Sequence, residues 1–138
     1  MPETDANPAS ASVASTGKGL RYIGNYLWSA VSGNVDPQNT TEIALDFLSP
    51  QQPIIANLTW MVDITELTAN RNLSLEIKFN DQVILFWRAQ LTIAGDFPDS
   101  FPFKIGPLGI MPQTHVVVSV GTNEDADVNQ YVTLLGQA

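Results

Sequence analysis

Residues 72–93 read NLSLEIKFNDQVILFWRAQLTI. In the first half Leu73, Leu75, Ile77 and Phe79 are apolar, and Ser74, Glu76 and Lys78 lie between them. In the second half Val83, Leu85, Trp87, Ala89, Leu91 and Ile93 continue the odd-numbered apolar series. A side-chain period of two over this length requires extended strands with one face on a core. Only Asn80, Asp81 and Gln82 separate the two runs. With Phe79 and Val83 both pointing inward, parity predicts a three-residue hairpin in which Asn or Asp takes the left-handed position.

The same period extends outward from this hairpin. Ile54, Ala56, Leu58, Trp60, Val62 and Ile64 are apolar at even positions, with Asn57, Thr59, Asp63 and Thr65 among their odd neighbours. Shorter runs at 42–48, 101–106, 115–120 and 130–135 read alike, and Val116, Val117 and Val118 add β-branched residues. Residues 20–32 are ambiguous. Leu20, Ile23, Leu27 and Val31 fit a helical stripe, whereas Gly19 and Gly24 weaken a helix and Tyr22, Tyr26 and Trp28 favour a strand. Read as a strand, the segment brings the expected total to eight: 21–32, 41–48, 54–65, 72–79, 83–93, 100–106, 114–120 and 130–136.

The links between these strands set the expected topology. Apart from the tight central hairpin they are five to nine residues long (33–40, 49–53, 66–71, 94–99, 107–113, 121–129). An up-and-down barrel has tight hairpins throughout. Eight strands with one tight hairpin in the middle predict an all-β, eight-stranded antiparallel jelly-roll sandwich over 19–138. Most of its links cross between the sheets.

The chain has 138 residues, with 6 Lys+Arg against 14 Asp+Glu, a formal net charge of −8 and no Cys. That length suits a single domain. The lack of Cys excludes disulfide frameworks, thiolate zinc sites and thiol nucleophiles. An acidic balance argues against nucleic acid or an anionic membrane as a partner. No apolar run reaches the roughly 18 residues of a membrane-spanning helix, and the N-terminus has no signal-peptide core. The 10 Asn, 8 Gln, 11 Thr and 9 Ser outnumber the 20 charged residues, a surface that suits strands packed against protein or sugar. Residues 1–18 contain no Leu, Ile, Phe, Tyr or Trp and are expected to form a flexible arm. Such an arm either frays or orders on a partner.

Candidate chemistry is sparse. His115 is the one histidine and is expected at a surface or rim, without triad or zinc partners. Neither a phosphate loop nor an HExxH pattern occurs, and no enzymatic activity is expected. Glu124, Asp125 and Asp127 share one loop and could offer oxygens to calcium, but without the Gly and bidentate Glu of an EF-hand; the other reading is a solvated acidic loop. Trp60 and Trp87 fall in phase with the core. Tyr22, Tyr26 and Trp28 share a parity and could line either face, so they are candidates for sugar stacking. Phe97, Pro98, Phe101, Pro102 and Phe103 form an apolar knob around one link, either tucked under the sandwich or touching a partner. The three Asn-x-Ser/Thr triplets at Asn39, Asn57 and Asn72 carry no weight without a signal peptide.

Three stretches resemble small jelly-roll virion proteins of tailed bacteriophages and other double-stranded DNA viruses. They are KGLRYIGN at 18–25, TTEIALDF at 40–47 and GPLGIMP at 106–112. The resemblance runs from about Lys18 to the C-terminus and includes no catalytic motif. It implies a decoration or cement subunit, a spike or a minor capsid protein, commonly a homotrimer, on the outer capsid surface and bound to the major capsid protein. Leu108, Ile110 and Met111 would join the Phe/Pro knob as contacts. Acidity fits the outside of a shell and disfavours a face lining packaged DNA. No cofactor is implied. The alternative is a carbohydrate-binding module that uses Tyr22, Tyr26 and Trp28.

Overall fold

The computed structural model describes residues 19–37, 40–62, 71–91, 102–122 and 129–138. Nine strands occupy most of them: β1 Arg21–Gly24, β2 Leu27–Val31, β3 Thr41–Leu48, β4 Ile54–Val62, β5 Arg71–Phe79, β6 Gln82–Leu91, β7 Pro102–Ile110, β8 His115–Thr122 and β9 Gln130–Gln137. They form two antiparallel sheets, one of five strands in the order β1-β2-β9-β4-β7 and one of four in the order β3-β8-β5-β6. The described residues contain no helix. The fold is therefore all-β and a sandwich, as the alternation requires. Among the eight links, only β1–β2 and β5–β6 stay within a sheet; each of the others passes from one sheet to the other.

The expected first strand is two strands. Asn25 and Tyr26 have φ of +52° and +61°, which makes a two-residue hairpin turn of the kind whose twist suits antiparallel strands. Tyr22 and Trp28 then face each other across it. The aromatic-rich segment reads as continuous β because its turn residues include a tyrosine, which rarely takes positive φ.

The central hairpin also differs by one residue. Asn80 and Asp81 alone form the turn, with φ of +50° and +68°, and Gln82 pairs with Phe79. A bulge between Ile77 and Lys78 restores the inward phase from Leu85 onward. Val83 consequently pairs with Lys78 and is exposed rather than inward. One extra residue on β6 is enough to reverse the facing of everything before it.

The core lies between the sheets. Trp28, Trp60, Phe47, Leu58, Leu75, Ile77, Val118 and Leu134 are fully or almost fully buried, as the alternation predicts for most of them. Trp87 departs from it, being 44% exposed. Its ring lies tilted against Phe103 with centroids 5.6 Å apart, and Phe103 is in turn 5.7 Å from Trp60, so the rings run from the core to the margin. β6 and β7 are both edge strands, and nothing among the described residues covers the far side of Trp87.

Two polar hubs hold the sandwich. Gln130 is fully buried: its carbonyl oxygen accepts from the Trp60 indole N–H at 2.8 Å, and its amide donates to Gly121 O at 3.2 Å. It thus joins β4 of one sheet to β8 of the other. At the end with the short links, Ser49 is also fully buried; its hydroxyl donates to Met111 O at 2.8 Å and accepts the Thr114 N–H at 2.7 Å. Ser49→Ala leaves the Thr114 donor without that acceptor, and should cost about 2 kcal/mol in urea denaturation. A loss below about 0.5 kcal/mol would show that the neighbouring Thr114 and Gln113 bonds suffice alone.

The two ends of the sandwich differ in chemistry. Links 49–53, 80–81 and 111–114 join strands at one end, and links 32–40, 63–70, 92–101 and 123–129 join them at the other. The second group carries eight acidic residues in sequence and no Lys or Arg. Most of the net charge of −8 therefore belongs to the links at one end.

Candidate functional site

The residues singled out from sequence do not converge. Trp28 is 0% exposed, so it offers no ring face to a sugar. Tyr22 is half-buried and lies tilted against it at 5.1 Å, and only Tyr26 is open to solvent, on the turn. The aromatic trio is thus a packing cluster with one exposed member, because β1 folds back over β2 instead of extending it.

The apolar knob also breaks up. Phe97, Pro98 and Phe101 lie outside the described residues, and Pro102 begins β7 opposite Met61. Phe103 packs between Trp60 and Trp87, Ile110 is buried, and Leu108 is half-buried against the core. Residues 107–110 are strand and not loop, paired to β4. Met111 alone stands out, 68% exposed in the link after β7. Glu124, Asp125 and Asp127 lie outside the described residues, as does the 1–18 arm. Among the described residues no group of three or more acids or histidines is placed to hold a metal.

His115 sits on the outer face of the four-stranded sheet with its Nε2 2.7 Å from Asp46 Oδ1. Both side chains are partly open to water. The pair has the first two members of a catalytic triad, but no hydroxyl among the described residues bonds to the ring. It is a surface ion pair when His115 is protonated, linking β8 to β3.

What the alternation leaves on the outside is more informative. The five-stranded sheet contains no acidic residue in any of its strands, and its charged residues are Arg21 and Lys104. Val31, Ile55, Met61 and Leu135 are exposed on its outer face. Leu27, Ile55 and Leu135 line a shallow depression of about 280 Å³ there. An acid-free sheet face with exposed apolar residues and two cations, on a chain of net charge −8, is a conspicuous segregation.

The four-stranded sheet presents a different surface. Thr41, Gly121, Ser74 and Arg88 are register partners in one row across β3, β8, β5 and β6. Over this row runs an open groove of about 390 Å³, whose lining includes Thr40, Thr41, Asn72, Ser74, Phe86 and Arg88. Phe86 is 50% exposed, and the Arg88 guanidinium lies 5.4 Å from its ring centroid. A Cβ at Gly121 would come within 2.8 Å of both Ser74 Oγ and Thr41 Cγ2, so glycine there lets these two side chains close in over β8.

Neither surface was read from sequence. Ile84, Phe86 and Arg88 occupy the phase expected to be polar on β6, and the apolar members of that phase were the available signal. Neither a protein-family model nor a curated protein matches the chain. The fold, its two outer faces and the distribution of charge are therefore the observations that bear on function.

Proposed function

We propose that this chain is a jelly-roll structural subunit of a virus particle that binds the outside of the shell built by the major capsid protein. The strand order supports the jelly roll: β2-β9-β4-β7 faces β3-β8-β5-β6, the arrangement made by two interlocked Greek keys, with β1 added at one edge. The observation that carries the role is the outer face of the five-stranded sheet. Val31, Ile55, Met61 and Leu135 would gain by leaving water, and Arg21 and Lys104 suit a neutral to acidic protein surface opposite them. The acidic links at one end would be repelled by packaged DNA, which favours a position outside the shell over one lining it. Residues 1–18 add a second contact by ordering on the shell, and three copies assemble as a homotrimer. No catalytic step belongs to this role.

Mass spectrometry of purified particles should find the chain at a fixed copy number, and electron microscopy should place it on the exterior. Ile55→Asp with Leu135→Asp should weaken attachment to particles by at least about tenfold, with the circular dichroism spectrum unchanged. Deleting residues 1–18 should weaken it further. Particles that lack the chain would overturn the proposal, and unchanged attachment of the double variant would remove this face from it.

A further inference from the structure

We propose that the groove on the outer face of the four-stranded sheet is a binding site for a neutral oligosaccharide. This goes beyond the capsid role, uses the opposite face of the sandwich, and stands or falls separately from it. A saccharide presents hydroxyl groups around its rim and C–H bonds on its ring faces. It therefore calls for hydroxyl and amide partners beside an exposed aromatic ring.

The groove supplies both. Thr41 and Ser74 close in over Gly121 and line the groove, and Asn72 and Thr40 stand beside them. Phe86 forms the wall one row away, in register with Glu76, and gives the ring surface. Arg88 has no carboxylate partner among the described residues, and its stacking on Phe86 holds the guanidinium ready to donate to sugar oxygens. The groove crosses four strands, roughly 14 Å at the usual strand spacing, which suits a short chain of sugars better than a single ring.

Charge selects the class of sugar. The described lining residues include no acid and one cation, while the whole chain carries −8. Glu76, beside the groove, is itself 3.8 Å from Lys78. A polyanionic glycan meets net repulsion from the molecule, whereas a neutral one does not. Apart from Thr40, the side chains that make contact stand on β3, β5 and β6, strands of one sheet, so they are held in place before the ligand arrives and lose little freedom on binding.

The test uses the full chain, isotopically labelled, titrated with soluble hexasaccharides of β-1,4-linked glucose, β-1,4-linked N-acetylglucosamine and α-1,6-linked mannose. At least one should shift the amide resonances of Ser74, Arg88 and Gly121 at up to millimolar concentration. Phe86→Ala should weaken that binding by about tenfold or more, and Arg88→Gln by several-fold. Thr133→Ala on the opposite sheet should leave it unchanged. Both groove variants are surface changes, and an unaltered melting temperature confirms their fold. Absence of shifts with all three sugars, shifts confined to other residues, or binding indifferent to Phe86→Ala would overturn the proposal.

Discussion

Trp60→Ala should lower the unfolding free energy by about 5 kcal/mol or more, measured by urea or thermal denaturation. Removing a fully buried indole costs about 3–5 kcal/mol through lost transfer energy and the cavity left behind. To this is added the Gln130 oxygen, which loses its 2.8 Å donor while remaining fully buried, at about 1–3 kcal/mol. Small domains have only about 5–15 kcal/mol to lose, so the variant should be largely unfolded at moderate temperature. Trp28 provides the contrast. It is equally buried, but its indole N–H has no hydrogen-bond partner among the described residues. Trp28→Phe removes an unsatisfied donor along with some volume and should cost clearly less than Trp60→Phe. Equal losses from the two Phe variants would show that the bond to Gln130 contributes nothing beyond packing.

Gly106→Ala is the second severe change, expected to cost about 3 kcal/mol or more. Gly106 lies within β7 at φ +136°, a conformation in which a side chain is strained whatever the surrounding space. A Cβ there would stand 2.8 Å from Asn57 Oδ1 and 2.9 Å from the Ala56 carbonyl oxygen. The Asn57 side chain is on the exposed face and can swing aside. The carbonyl belongs to β4, beside the irregular pairing between Ala56 and Leu58, and can yield only if β7 moves off its neighbour. Gly109→Ala, three residues on, meets nothing within 4 Å and should change stability by less than about 0.5 kcal/mol. A similar loss at both positions would mean that β7 resists any added methyl, not that Gly106 has a special backbone.

The parts of this fold that could be read from sequence share one property: they depend on neighbours two residues apart. Every even position from Ile54 to Val62 is apolar, and these are the buried positions of β4. The link lengths also announce that most connections change sheet. What escaped depends on one-residue events or on distant partners. The bulge opposite Ile77 turned Val83 outward, and the Asn25–Tyr26 turn cut one strand into two. Trp87 was in phase with the core, but its burial depends on what lies beyond β6, and a strand's rank within a sheet has no local signature. Ser49 joins Thr114 across 65 positions and Trp60 joins Gln130 across 70, so neither hub leaves a mark in any short window. The surfaces escaped for a similar reason. Arg21 and Lys104 share an acid-free sheet only because topology collects five separate strands there.

The position of β6 bears on how copies of the chain behave toward one another in solution. It is ten residues long, it lies at the margin of its sheet, and its run Val83-Ile84-Leu85-Phe86-Trp87 meets the first charge only at Arg88. Soluble proteins usually guard such a margin with lysine, proline or a covering segment, since bare peptide groups there can zip onto a sibling molecule. A solitary copy can thus pair its β6 margin with that of another copy, and such clumping quickens with crowding. Mutual repulsion between acidic copies slows clumping in dilute buffer, and added salt removes that protection.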